Sequence, residues 1–144
     1  MKSTEKKIAI YLGYLGLIPF IMSLAVAVYF EQFKDISEQS FVVYSIVIIS
    51  FMSGIHWGLA IDSIDQRRTK FIVSTIPPVL VWFSFLCLPL SFLIVILGFV
   101  HLVGLRVDRI IFGHLNMQPS YLRMRFRLAL IVAGLHFLLA LSIT

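Results

Sequence analysis

The sequence predicts an all-α polytopic membrane protein, a bundle of five transmembrane helices. Three observations predict it. Of 144 residues, 60% are hydrophobic and only 13% charged, whereas soluble domains carry ~25% charged residues. The apolar residues fall into five runs, at about residues 8–30, 40–61, 71–88, 90–107 and 121–143, each near the ~20 residues that cross a bilayer. The basic residues gather at alternate ends of those runs, as membrane topology requires. No polar block is long enough for a second domain, so residues 1–144 read as one transmembrane domain.

The elements follow in order. Met1–Lys7 is short and basic. The run Ile8–Phe30 is longer than the apolar core of a signal peptide and ends in a charged loop without a small-x-small cleavage site, so it reads as an uncleaved first span. Gly13 and Gly16 offer close packing there, and Pro19 predicts a kink. Glu31–Gln39 is polar and mostly acidic, a predicted loop. The second span runs from about Ser40 to Ile61 and is followed by a compact charged loop, DSIDQRRTK. The third, about Phe71 to Leu88, contains Pro77-Pro78. Proline suits the first turn of a helix and disrupts it deeper in, so this helix either begins near Thr75 or breaks there. Pro89 marks a tight turn into the fourth span, about Leu90 to Val107, and the two form an antiparallel hairpin. Gly113–Ser120 reads as a loop. The fifth span, about Tyr121 to Ile143, carries Arg123, Arg125 and Arg127 in its first turns.

Counting spans gives the topology. Of the 12 Lys and Arg residues, all but Lys34 fall on one side. That asymmetry predicts the amino terminus in the cytoplasm and the carboxy terminus outside. The net charge of +5 therefore points to membrane topology rather than nucleic acid. The single Cys87 excludes an intrachain disulfide and a cysteine-type structural metal site.

The richest stretch is SFMSGIHWGLAID, Ser50–Asp62. Ser50, Gly54 and Gly58 recur every four residues and form a small-residue stripe for helix packing. Trp57 flanks it. His56 lies ~200° from Gly54, on a second face with Ser53 and Ala60. This helix has two faces that want protein neighbours, which suits the centre of a bundle. His56 is a titratable group in an apolar span, where by default such a group marks a site or a buried hydrogen-bond partner.

The candidate site gathers at the basic end: His56, Trp57, His101, Arg106, Asp108 and Arg127, with Asp62 and Arg109 nearby. His101 and Asp108 share a face at i, i+7. Arg127 lies nearly two turns inside its span and either snorkels or pairs with Asp108 or Asp62. If the faces of spans two and four meet, His56 and His101 could ligate one haem from both sides or hydrogen-bond a quinone. The plainer alternative is that Asp108 and Arg127 neutralise each other and the histidines bond to backbone. His114 falls in a loop and is expected to be solvated. His136, ~22 Å along the helix from Tyr121, is expected to lie too far away to join. No metal-ligand spacing is present, and HExxH, GxSxG, P-loop and CxxC motifs are absent, so an enzyme is the weaker expectation.

Several segments together resemble a known family: LGYLGLIPF (12–20), YSIVIISFMSGIHWGLA (44–60), PPVLVW (77–82), LGF (97–99) and PSYLRMR (119–125). They are similar, in order and over about residues 11–143, to a domain-of-unknown-function family of small inner-membrane proteins of proteobacteria that includes mitochondrial transmembrane-protein-69-like members. The resemblance implies a helical protein of the bacterial inner membrane and supplies no catalytic residue. It also implies that Arg can replace His56 in the mitochondrial type, which favours a donor over a metal ligand. Ser120 departs from an aromatic usual before Tyr121.

Function is expected to be that of a non-catalytic accessory, assembly or stabilising subunit of a larger inner-membrane complex. The alternative is a small-molecule-binding membrane protein with quinone, haem or lipid at a His56/His101/Asp108/Arg127 cluster. The third is a small oligomeric transporter. The expected partners are the lipid bilayer and other inner-membrane subunits or further copies of the chain.

Overall fold

Lipid offers no hydrogen bonds, so each apolar run must pair its own backbone groups and become helical. The computed structural model describes residues 3–61, 67–112 and 119–143. Among them, five helical segments are long and apolar enough to cross a membrane. The chain is an integral, multi-pass helical membrane protein.

The first span is two helices, α1 (Ser3–Leu15) and α2 (Ile18–Tyr29). Pro19 lacks the N–H that would bond the Leu15 carbonyl, and its ring collides with that carbonyl. The helix therefore stops a turn before the proline and restarts with Pro19 in the first turn of α2. The result is a two-residue interruption at Gly16 and Leu17 within one span. The carbonyl of Gly16, freed at the break, accepts a hydrogen bond from the Tyr44 hydroxyl of α3 at 3.1 Å.

A 3-10 turn, Glu31–Phe33, leads directly into α3 (Lys34–Ile61), so the predicted loop 31–39 is helical from Lys34 onward. Asp35 in the first turn complements the positive end of the helix, and Ser37 and Glu38 are buried. α4 (Arg67–Cys87) begins before the prolines and continues through Pro77 and Pro78; it neither starts near Thr75 nor breaks there. The hydroxyls of Ser74 and Thr75 donate back to the Phe71 carbonyl at 2.9 and 2.8 Å. Such back-bonding bends a helix and makes room for the proline rings. A turn at Leu88–Pro89 reverses the chain into α5 (Leu90–Phe112), which runs more than a turn beyond its predicted end. Asp108 thus lies inside a helix. α6 (Pro119–Ile143) completes the bundle.

α3 packs against α2, α4 and α5, while α5 and α6 form the most extensive pair and α1 and α2 lie on α6. The core between them holds Phe20, Phe41, Ile49, Leu93, Leu97 and Leu139. A smaller cluster of Val107, Ile111 and Phe112 sits at the end of α5. Gly98 lets α5 approach α6: a Cβ there would meet the Cβ of His136 at 3.1 Å and the Phe137 ring at 3.2 Å. Gly134, by contrast, faces open space. Gly98→Leu is therefore expected to destabilise the protein by about 1–3 kcal/mol through overpacking. Gly134→Leu should stay within about 0.5 kcal/mol. Thermal unfolding of both variants in mild detergent checks the contrast.

Candidate functional site

Three helices each place two polar side chains on the face that meets the others. On α3 they are Ser45 and His56; on α6, Arg125 and His136. Each pair is separated by three helical turns, ~16 Å, and lies within ~20° of one face. On α5 they are His101 and Asp108, at the i, i+7 spacing. The six side chains form two layers at different depths.

The layer nearer the basic end is built on Asp108. Its Oδ1 accepts a hydrogen bond from His56 Nε2 at 2.7 Å. The Arg125 guanidinium grips both carboxylate oxygens, with Nε 2.9 Å from Oδ2 and Nη2 on Oδ1. The third arm of the fork, Nη1, reaches Met52 Sδ on α3 at 3.2 Å. The guanidinium carbon stands 5.1 Å from the Phe112 ring centroid and 5.9 Å from that of Tyr121, a cation–π seat. Arginine suits the place because its fixed fork matches a carboxylate bidentately. The layer joins α3, α5 and α6 and balances its own formal charge.

The deeper layer is built on Ser45. Its hydroxyl lies 2.9 Å from His101 Nε2 and 2.9 Å from His136 Nε2. His136 is fully buried, and its Nδ1 is 2.8 Å from the Val132 carbonyl. A carbonyl only accepts, so Nδ1 carries a proton. With neutral imidazoles, Nε2 of His136 is then the acceptor for the Ser45 O–H, and His101 Nε2–H donates to the Ser45 oxygen. Phe41 and Phe20 close over His136, with ring centroids at 4.7 and 5.7 Å. The chain of bonds ends on a helix carbonyl and ties α3, α5 and α6 together.

Only part of the predicted constellation assembles. His56 and Asp108 meet. His101 joins Ser45 and His136 instead, so His56 and His101 do not face one ligand, and the Nε2 atom of each is already bonded. His136, expected to stay apart, is a full member of the deeper layer. The Asp108 partner is Arg125, not Arg127, which is exposed on another face of α6. Arg106 is exposed. Trp57 is half exposed, with its ring 5.6 Å from Phe71 of α4. Asp62 and His114 lie outside the described residues. Among the described residues, no three His, Cys, Asp or Glu side chains converge as a metal ion would require. The small-residue stripe meets no neighbour among the described residues. Ser50, Gly54 and Gly58 are exposed, and nothing lies within 4 Å of a Cβ built on either glycine. α3 buries its opposite face, Ser45, Ile49, Ser53, His56 and Ala60, and leaves the stripe bare.

The fold and its polar layers define a five-span helical integral membrane protein. It belongs to the family described as protein of unknown function (DUF3429), whose model matches residues 5–141. It is also similar to "Transmembrane protein 69" of Xenopus tropicalis, 33% identical over 84 residues. That match takes in 56% of this chain and only 33% of the relative's length. No solved structure matches the chain.

The deeper layer makes a spectroscopic prediction. ¹⁵N NMR of histidine-labelled protein is expected to show His136 protonated on Nδ1 and His101 on Nε2. In Ser45→Ala both histidine signals should shift while the His56 signal stays put.

Proposed function

We propose that this protein is a non-catalytic accessory, assembly or stabilising subunit of a larger complex in the bacterial inner membrane. Its basic end faces the cytoplasm, following the charge asymmetry of the loops. The observation that carries the reading is the bare stripe Ser50, Gly54 and Gly58 on α3. In a bilayer, apolar area alone does not drive helices together, because lipid tails are as apolar as leucine. Close backbone approach through small residues does. A lipid-facing glycine stripe leaves a shallow groove that a partner helix fills better than acyl chains. The six polar side chains of the two layers are spent on one another, so what α3 offers outward along this stripe is packing. The partner is a transmembrane helix of another inner-membrane protein, docking along α3 beside Trp57.

A photoreactive amino acid at Val47, exposed on the same side of α3, tests this in cells. A discrete heteromeric adduct is expected, lost or reduced about tenfold in Gly54→Leu/Gly58→Leu, with the unfolding temperature of the purified chain unchanged. Adducts to lipid alone, or only to a second copy of this chain, would contradict the reading.

A further inference from the structure

α6 carries three arginines that face two ways. Arg125 points inward to Asp108. Arg123 and Arg127, four residues apart, share another face and are exposed. Among the described residues neither has an ion-pair partner. Both line a groove of about 330 Å³ between α1 and α6. Ile10 and Tyr14 of α1 form its other wall, with Ser120 and Met124 of α6 completing it.

Each feature is costly by itself. An unpaired guanidinium on the lipid-facing side of a membrane span must be neutralised or reach the interface. Arg127 lies ~12 Å along α6 from Pro119. One anion would answer both guanidiniums at once, since a phosphate presents several acceptor oxygens to guanidinium donors. Ile10 and Met124 give the same groove an apolar wall.

We infer that the α1–α6 groove is a binding site for a phosphate group, supplied by an anionic phospholipid whose acyl chain lies along Ile10 and Met124. Arg123 and Arg127 bind the phosphate. The lipid source follows from the position: the groove opens sideways on two spans, at the end where the basic residues collect. The site is separate from the α3 stripe and does not depend on a partner protein.

The test is native mass spectrometry of the full chain released from nanodiscs of phosphatidylglycerol mixed with phosphatidylcholine. The expected result is retention of about one phosphatidylglycerol per chain, preferred about tenfold or more over phosphatidylcholine. Arg123→Gln/Arg127→Gln should lose that preference, Arg123→Lys/Arg127→Lys should keep part of it, and Lys34→Gln, at the opposite end, should keep all of it. The arginines are exposed, so the unfolding temperature of each variant reports that the bundle is intact. Equal retention of both lipids by the wild type, or undiminished preference in the Gln double variant, would overturn the assignment. Displacement of the lipid by millimolar inorganic phosphate would overturn the lipid source.

Discussion

The carboxylate of Asp108 is the constraint on which the bundle depends. A charge inside a membrane span is tolerated only when it is paired. Here the pairing comes from two other helices, through His56 on α3 and Arg125 on α6. Neither partner can be supplied from within α5. The three helices must therefore sit in one register, and the second layer, Ser45 with His101 and His136, repeats that requirement at another depth. In water, hydrophobic burial would dominate such a fold. In lipid it contributes little between helices, so packing and interhelical hydrogen bonds decide register.

The remaining elements fit around this frame. Gly98 lets α5 come close enough to α6 for the layers to close, and Phe20 and Phe41 seal the deeper one. Phe20 lies in the first turn of α2, just after the interruption before Pro19, where Tyr44 satisfies the carbonyl exposed by it. Among the described residues the surface is left with two unusual features: a stripe of glycine without a neighbour and a pair of arginines without a counter-ion. The first supports a role in assembly and the second a bound lipid.

Much of the fold was legible in the sequence, because run length, proline position and charge asymmetry are local signals. The five helices and the 88–89 turn follow from them. Helix ends were less so: Lys34–Gln39 and Asp108–Phe112 look like loop by polarity, yet Ser37 and Glu38 are buried and Asp108 is paired from two other helices. The site was half legible. His56, His101 and Asp108 stand out as polar groups in apolar runs. Ser45 and Arg125 do not, since serine is common in such helices and Arg125 hides between two other arginines. The signal that finds them is periodicity. Ser45 falls on the His56 face three turns earlier, and Arg125 falls in step with Val132, His136 and Leu139, all buried. Arg127 does not. The glycine stripe is legible only as a surface, because spacing shows that a face is smooth and does not show what covers it.

The most direct test of the Asp108 account is a double-mutant cycle on reversible unfolding in mixed micelles, with Asp108→Asn, Arg125→Gln and both together. Each single change strands a buried partner, while the double change removes both charges. The account predicts a coupling energy of about 2 kcal/mol, with the double variant less destabilised than the sum of the singles. Additivity within about 0.5 kcal/mol would contradict it and show that the register of α3, α5 and α6 is set elsewhere.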